Sequence, residues 1–214
     1  TLNNWKNPCG APEVCNALSN SIKIGFLATL FATILGTMIA FAIGRHNFKG
    51  RSTSNLLIFL PMATPEIVLG ASLLSLFLVF KINPGFWPTV IAHVMFCISF
   101  VVVTVKARIA SLDPRLEQAA MDLYANEFQT FRRVTLPLVA PGIAGAALLA
   151  FSLSFDDFII TNFNSGTVIT FPKFVYTAAA RGIPAQANVI GSGMFFLALA
   201  IVIAGQILNR RKAR

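Results

Sequence analysis

An all-α, polytopic transmembrane helix bundle is the fold class that three features of this 214-residue chain predict. Hydrophobic residues make up 56% of it and charged residues only 12%, against about a quarter charged in soluble domains, so lipid must solvate much of its surface. Five runs each supply the roughly 20 apolar residues that cross about 30 Å of hydrocarbon. They lie near 20–43, 55–80, 86–106, 137–160 and 188–208. The third feature is the sharing of basic residues among the connections. Arg45, Lys49, Arg51, Lys106, Arg108, Arg115, Arg132, Arg133, Arg210, Arg211, Lys212 and Arg214 fall on one side, and Lys6, Lys23, Lys81, Lys173 and Arg181 on the other, twelve against five of the 17.

Positively charged connections stay in the cytoplasm. That rule makes 107–135 a cytoplasmic segment and 209–214 a basic cytoplasmic tail, with 1–19, 81–85 and 161–187 outside. A single transmembrane domain over 20–208 follows. The net charge of +9 is thus accounted for by orientation, and nucleic-acid binding, which needs the cations on one exposed face, is set aside. An outward N-terminus lacking the apolar region of a signal peptide predicts one more span ahead of Thr1.

Each span carries its own signature. The first has Ala28, Ala32, Gly36 and Ala40 at four-residue spacing, a stripe that lets another helix backbone approach closely. The second is interrupted by Pro61 and Pro65, which remove backbone donors and should break it within its first turns; Glu66 follows the break. In the third, His93 reads as a hydrogen-bonded packing residue, since no acid lies near it in sequence, and Cys97 as inert. The cytoplasmic segment reads as two short helices. Asp113-Pro114 should start one that runs to about Leu123, and Asn126 with Gln129 three residues on forms a capping box for a second, to about Val134. Alanines at the centre of the first helix and its acids suit a groove on a partner better than a lipid surface, which prefers bulky apolar residues flanked by cations. The fourth span opens LPLVAPGIAGAA, with Pro137 in its first turn. In the outer loop, Pro172 to Arg181 predicts a short helix closed by Gly182. Cys9 and Cys15 lie outside, and their pairing is left open by spacing alone.

Glu66, Asp156 and Asp157 are acids at membrane depth. A carboxylate near the bilayer centre costs about 2.5–3.5 kcal/mol on insertion scales, so such groups face a cavity or a partner. Two readings stand. The acids line a path for a cationic solute, whose ammonium groups need oxygen acceptors once dehydrated, or they pair with helix ends and cations. Adjacent residues project about 100° apart on a helix, so Ser152 shares a face with Asp156, and Ser154 and Thr161 share one with Asp157, which leaves the inward-facing aspartate undecided.

Residues 116–143, LEQAAMDLYANEFQTFRRVTLPLVAPGI, resemble the EAA motif of the membrane subunits of ATP-binding-cassette importers, in which E-A-A, a later glycine and a terminal L-P recur at this spacing. IGRHNFKGR, FLPMATPEIVLGASLL, FVVVTVKARI and FSLSFDDFIITNFNSG extend the resemblance to the C-type permease subunits of spermidine/putrescine importers, over essentially the whole chain. Aligned backward from Leu136-Pro137, the motif's glutamate falls on Gln118, beside Glu117, and its glycine on Tyr124. A left-handed conformation at that position costs a non-glycine residue about 1–2 kcal/mol.

The resemblance implies a type I importer permease of MetI-like fold in a bacterial inner membrane. It implies a non-catalytic subunit that pairs with a second permease, two cytoplasmic ATPases and an external binding protein, to carry a polyamine. ATP and magnesium would sit on the ATPases; this chain has no G-x-x-x-x-G-K-[ST] stretch. Glu117, Gln118, Ala119, Ala120, Asp122, Leu123, Tyr124, Ala125, Phe128 and Arg132 are the expected ATPase-coupling residues, and Glu66, Asp156 and Asp157 the expected substrate path. Other readings are a permease for another small solute, an ion-coupled transporter, which would show repeated halves, and a scaffold subunit, which needs no acids at depth.

Overall fold

The computed structural model describes residues 2–180 and 182–212. Those residues are helical or in turns, and contacts divide the chain into two compact units, 1–20 with 169–214 and 21–168.

The smaller unit holds α1 (Leu2–Lys6), the first turns of α2 (Pro12–Arg45), α10 (Phe171–Ala179) and α11 (Ala185–Lys212). Its core is Val14, Ala17, Phe174, Ala187 and Ile190. Cys9 and Cys15 are joined by a disulfide, which closes the turn leading into α2, and Asn20 Nδ2 donates to Ile169 O at 3.0 Å. Helix α2 therefore begins well before the expected span, inside the stretch assigned to the outer segment. Helix α10 covers the short outer helix, ending at Ala179 with Gly182 beyond it at φ 100°; Arg181, its expected last residue, lies outside the described residues, as do Ala213 and Arg214 of the tail. The expected 188–208 run falls within α11.

The larger unit is organised around α5 (Phe86–Ala110), against which α8, α3 and α9 pack and which α2 approaches at Gly36. The small-residue stripe does what its spacing suggested. Ala28, Ala32, Gly36 and Ala40 are all buried, and a Cβ on Gly36 would come within 2.7 Å of Val101 Cγ1, so only glycine permits this approach of α2 to α5.

The second apolar run is not one helix. It forms α3 (Arg51–Ala63) and α4 (Glu66–Val79), bent by 107°. Pro61 is absorbed inside α3, and the break falls mid-run at Thr64-Pro65 rather than in the first turns. Thr64 precedes proline and takes the extended conformation such residues favour (ψ 133°). Its amide and hydroxyl both donate to Leu60 O, at 3.0 and 2.8 Å, closing α3.

Segment 107–135 also differs from the expected two separate helices. α6 (Arg115–Asp122) starts one residue late, with Asp113 Oδ1 accepting from Arg115 N at 2.9 Å. The capping box at Asn126 is present, with Gln129 N donating to Asn126 Oδ1 at 2.8 Å and Asn126 N to Gln129 Oε1 at 3.2 Å. The helix it opens, α7 (Glu127–Thr130), does not stop at Val134. It continues through a π-helical turn (Phe131–Thr135) into α8 (Leu136–Asp156). Pro137 has no N–H to offer Arg133 O, which relieves the demand for α-helical bonding there and admits the wider turn.

α8 ends four residues before the expected limit. Asp157 is extended (ψ 123°) and α9 (Ile159–Asn164) begins after it. Asn164 Nδ2 reaches Ile160 O and Gly70 O of α4, at 2.9 and 3.3 Å, and Gly85 N donates to Asn164 O at 2.9 Å, tying α9 to α4 and to the start of α5. Three helices among the described residues, α2, α5 and the continuous 127–156, are long and apolar enough to cross a membrane; counting the bent α3–α4 pair as one span makes four.

Candidate functional site

Two features of the larger unit gather the residues singled out from sequence: an elbow at α6–α7 and a cleft at the α8–α9 break.

The elbow is a closed turn. Ala125 N donates to Ala120 O at 3.1 Å and Tyr124 N to Met121 O at 2.9 Å, the paired bonds of a Schellman C-cap. Tyr124 occupies the left-handed position of that cap, at φ 64°. It accepts the strain that glycine would avoid. The apex is apolar and open: Tyr124 is 98% exposed, Leu123 82% and Phe128 68%, with Met121 beside them. Gln118, Ala119, Asp122 and Arg132 are exposed, while Ala120 and Ala125 are half-buried.

Glu117 points the other way. Its carboxylate takes a bidentate pair from the Arg45 guanidinium at the end of α2 and a hydrogen bond from the Thr135 hydroxyl at the foot of α8. The Arg45 bonds outweigh partial desolvation, with Thr135 adding to them, and hold the Glu117 carboxyl below its ordinary range. One side chain thus fastens the elbow to two spans. Sequence reading placed Glu117 with the outward coupling residues and missed Arg45 and Thr135, because nothing in linear spacing links residues 45, 117 and 135.

Because the charged form is favoured in the fold, the stabilisation is fully present above the ordinary glutamate pKa of about 4.3 and is lost only as pH falls through the lower folded value. At neutral pH, Glu117→Gln is expected to speed amide hydrogen exchange across 115–122 by roughly fivefold, about 1 kcal/mol for a partly exposed pair. The difference from wild type should vanish under acid conditions below the folded pKa. A difference that persists there would show that the pair does not fasten the elbow.

At the other site, Glu66 in the first turn of α4 and Asp156 at the end of α8 are both exposed. They line one open cleft of about 600 Å³ with Ser152, Phe96, Leu153 and Phe158. Asp157 also borders it, but its carboxylate is buried and committed. It caps α9, accepting from Ile160 N at 3.3 Å, Thr161 N at 2.8 Å and Thr161 Oγ1 at 3.0 Å. His93, 1% exposed, completes the knot, with Nε2 at 3.3 Å from Asp157 Oδ2 and 2.9 Å from Thr161 Oγ1, and Nδ1 at 2.6 Å from Ser154 Oγ. A tautomer protonated at Nε2 satisfies these partners, donating toward Asp157 and accepting at Nδ1 from the Ser154 hydroxyl. His93 is a buried packing residue as expected, yet it does have an acidic partner, brought to it by the α8–α9 break. That break also separates the two aspartates: Asp156 faces open space and Asp157 faces protein.

Comparison with known proteins agrees with this architecture. The chain is 36% identical over 196 residues to the spermidine/putrescine transport system permease protein PotC of Haemophilus influenzae, covering 91% of this chain and 76% of that one. It is 36% identical over 186 residues to the putrescine transport system permease protein PotI of Escherichia coli, covering 83% and 66%. In fold it matches a chain of the MetNI methionine ABC transporter in its inward-facing conformations, with a TM-score of 0.76 at 16% identity over 92% and 94% of the two chains. It also matches a chain of a bacterial ABC transporter involved in import of the acidic polysaccharide alginate, with a TM-score of 0.72 at 17% identity over 98% and 83%. Residues 25–212 match the family described as the binding-protein-dependent transport system inner membrane component, and the protein belongs to that family of multi-pass ABC-importer permeases.

Proposed function

We propose that this chain forms half of the translocation path of an ATP-driven importer for a polyamine of the spermidine/putrescine kind, and that the α6–α7 elbow receives the motion of a partner ATPase. The observation that carries the substrate reading is the cleft in which Glu66 and Asp156, from different helices, stand exposed together. A dehydrated diammonium or triammonium chain needs spaced oxygen acceptors, and two carboxylates from different helices meet that need. The polyamine permeases among the relatives support the same substrate class.

In this reading the elbow, rigid by virtue of its Schellman cap and capping box, sits in a groove of one of two cytoplasmic ATPases. Nucleotide-driven closure of those subunits drags it, and the displacement passes to α8 through the unbroken π turn and to α2 through Glu117–Arg45. A second permease supplies the facing half of the path, and an external binding protein delivers the solute. The chain is non-catalytic, with its carboxyl end cytoplasmic and residues 1–19 outside the inner membrane.

The test uses the reconstituted transporter. Asp156→Asn is expected to raise the KM for spermidine by roughly tenfold, on the order of 1.4 kcal/mol for one lost charge-assisted contact, with basal ATPase activity unchanged. Unaltered spermidine uptake in both Asp156→Asn and Glu66→Gln would remove the cleft from the path and point to another solute.

A further inference from the structure

Arg108, in the last turn of α5, spends its guanidinium on the backbone of α8. Its Nε and Nη2 both donate to Leu138 O, at 3.1 and 2.9 Å, and Nη1 lies 3.5 Å from Ser111 Oγ. Among the described residues no carboxylate is within ion-pair distance of it. The side chain reaches Leu138 across Gly142. A Cβ on that glycine would stand 2.6 Å from Arg108 Cγ and 2.8 Å from Arg108 Cβ, whereas Gly145, in the same run, has nothing within 4 Å. Gly142 is thus a notch for the arginine stem, and two N–H groups forked on one carbonyl are a geometry that lysine cannot reproduce.

The grip falls where α8 is least able to carry force. The π turn at Phe131–Thr135, then Pro137, then Pro141 follow one another along its foot. Pro141 offers no N–H to Pro137 O, and a helix missing such bonds bends there. A push delivered at the elbow would be absorbed in that bend unless the foot of α8 were held from outside. Arg108 holds it, one residue beyond Pro137.

The same two helices are pinned again at their other ends, where His93 of α5 meets Ser154 of α8 and Asp157 just beyond it. Fifteen residues separate Arg108 from His93, and sixteen separate Leu138 from Ser154, roughly 22 and 24 Å of helix. Between the pins the contact is tight, with Val101, Val105, Ala146 and Ala150 fully buried and Cys97 Sγ at 3.5 Å from Ala150 O. Pinned at matched spacing, α5 and α8 move together and carry Asp156, at the end of α8, with them.

We propose that Arg108 is a positioning residue for coupling, a role that rests on the elbow being the ATPase contact. It locks the jointed foot of α8 to α5, so that displacement of the elbow moves the α5–α8 pair as one body and reaches the cleft of Glu66 and Asp156. The positive-inside bias explains a cation in this part of the chain; it does not explain why its guanidinium is folded over a glycine onto a backbone carbonyl.

The experiment takes the full chain, purified with its partner subunits into nanodiscs, with spin labels on cysteines introduced at Ala110 and Ala140, both exposed, one in each helix close to the latch. Cys97 is buried and Cys9 and Cys15 are bonded, so labelling is confined to the introduced pair. In wild type the inter-label distance is expected to stay narrow and unchanged by ATP with magnesium. In Arg108→Met a second, longer distance should appear on adding ATP, its share rising roughly tenfold for the loss of a charge-assisted bond. Gly142→Ala, which displaces the arginine stem and keeps the charge, should do the same, and Arg108→Lys, with one donor for Leu138 O, should fall between. A longer distance in Arg108→Met that is already present in full without ATP overturns the proposal, because a clamp that only holds the fold together does not depend on nucleotide. So does a wild-type distance that lengthens with ATP, and so do Arg108→Met and Gly142→Ala distances that match wild type throughout. In that last event copurification of the ATPases separates the causes. Their loss in Leu123→Asp would leave the elbow contact standing and remove the role of Arg108 alone, whereas their retention would remove both. No solute is present, so the readout stands apart from polyamine transport.

Discussion

Replacing Leu123 by aspartate is expected to abolish solute uptake and ATPase stimulation by binding protein while leaving the permease folded and inserted. Leu123 is 82% exposed at the tip of the elbow, so little of its apolar surface is covered by the described residues. A surface substitution of this kind changes the stability of the chain itself by only about 0.5 kcal/mol or less. If the apex is buried in an ATPase groove, a carboxylate placed there must be desolvated without a partner, at a cost of about 3 kcal/mol or more, on the order of a hundredfold in association. Ala119→Arg, one turn earlier and also exposed, should act in the same direction by bulk and charge. Leu123→Met, which preserves apolar contact, should be close to wild type. The measurement is copurification of ATPase subunits with each variant, followed by uptake in proteoliposomes. Normal copurification and uptake in Leu123→Asp would mean that force enters the bundle elsewhere.

The second large effect lies at the other end of the same span. His93→Ala strips the buried Asp157 carboxylate of its imidazole partner and leaves Ser154 and Thr161 facing a void. Removing a hydrogen-bond donor from a buried carboxylate costs about 1.5–3 kcal/mol, and the emptied imidazole volume adds to that. Asp157→Asn should cost far less, about 1 kcal/mol, because asparagine still caps a helix N-terminus and carries no charge to strand. The same logic makes Asp157→Asn a partial rescue of His93→Ala, a sign of coupling that independent sites would not give. Thermal unfolding of the four proteins in one detergent tests this. A His93→Ala variant within about 0.5 kcal/mol of wild type would show that the knot does not hold the α8–α9 break.

Much of the elbow was legible in the chain because its determinants are local. Asn126 and Gln129 form a capping box three residues apart, and the motif resemblance puts a glycine position on Tyr124, which takes the left-handed conformation. The helix breaks were harder to place. Two prolines announced an interruption in 55–80, yet Pro61 stays inside a helix and only Pro65 produces the 107° bend. A proline near a helix terminus is tolerated when the lost bond can be made up, and which proline is tolerated depends on what surrounds it. The π turn ahead of Pro137 was missed for a related reason. A capping box and a later Leu-Pro read as two separate starts, whereas a one-residue widening of the helix joins them.

Composition, the length of apolar runs and the distribution of cations were sufficient by themselves for the all-α membrane class, because hydrophobic transfer and charge placement act residue by residue along the chain. Tertiary structure alone decided which acid does what. Asp156 and Asp157 are chemically identical neighbours, and only the break between α8 and α9, fixed by contacts from α5 and α4, turns one into an open cleft and the other onto His93. The same holds for Glu117, whose partners lie far away in sequence on both sides. Electrostatic pairing depends on distance in space, and in a bundle that distance is set by helices folding back on one another.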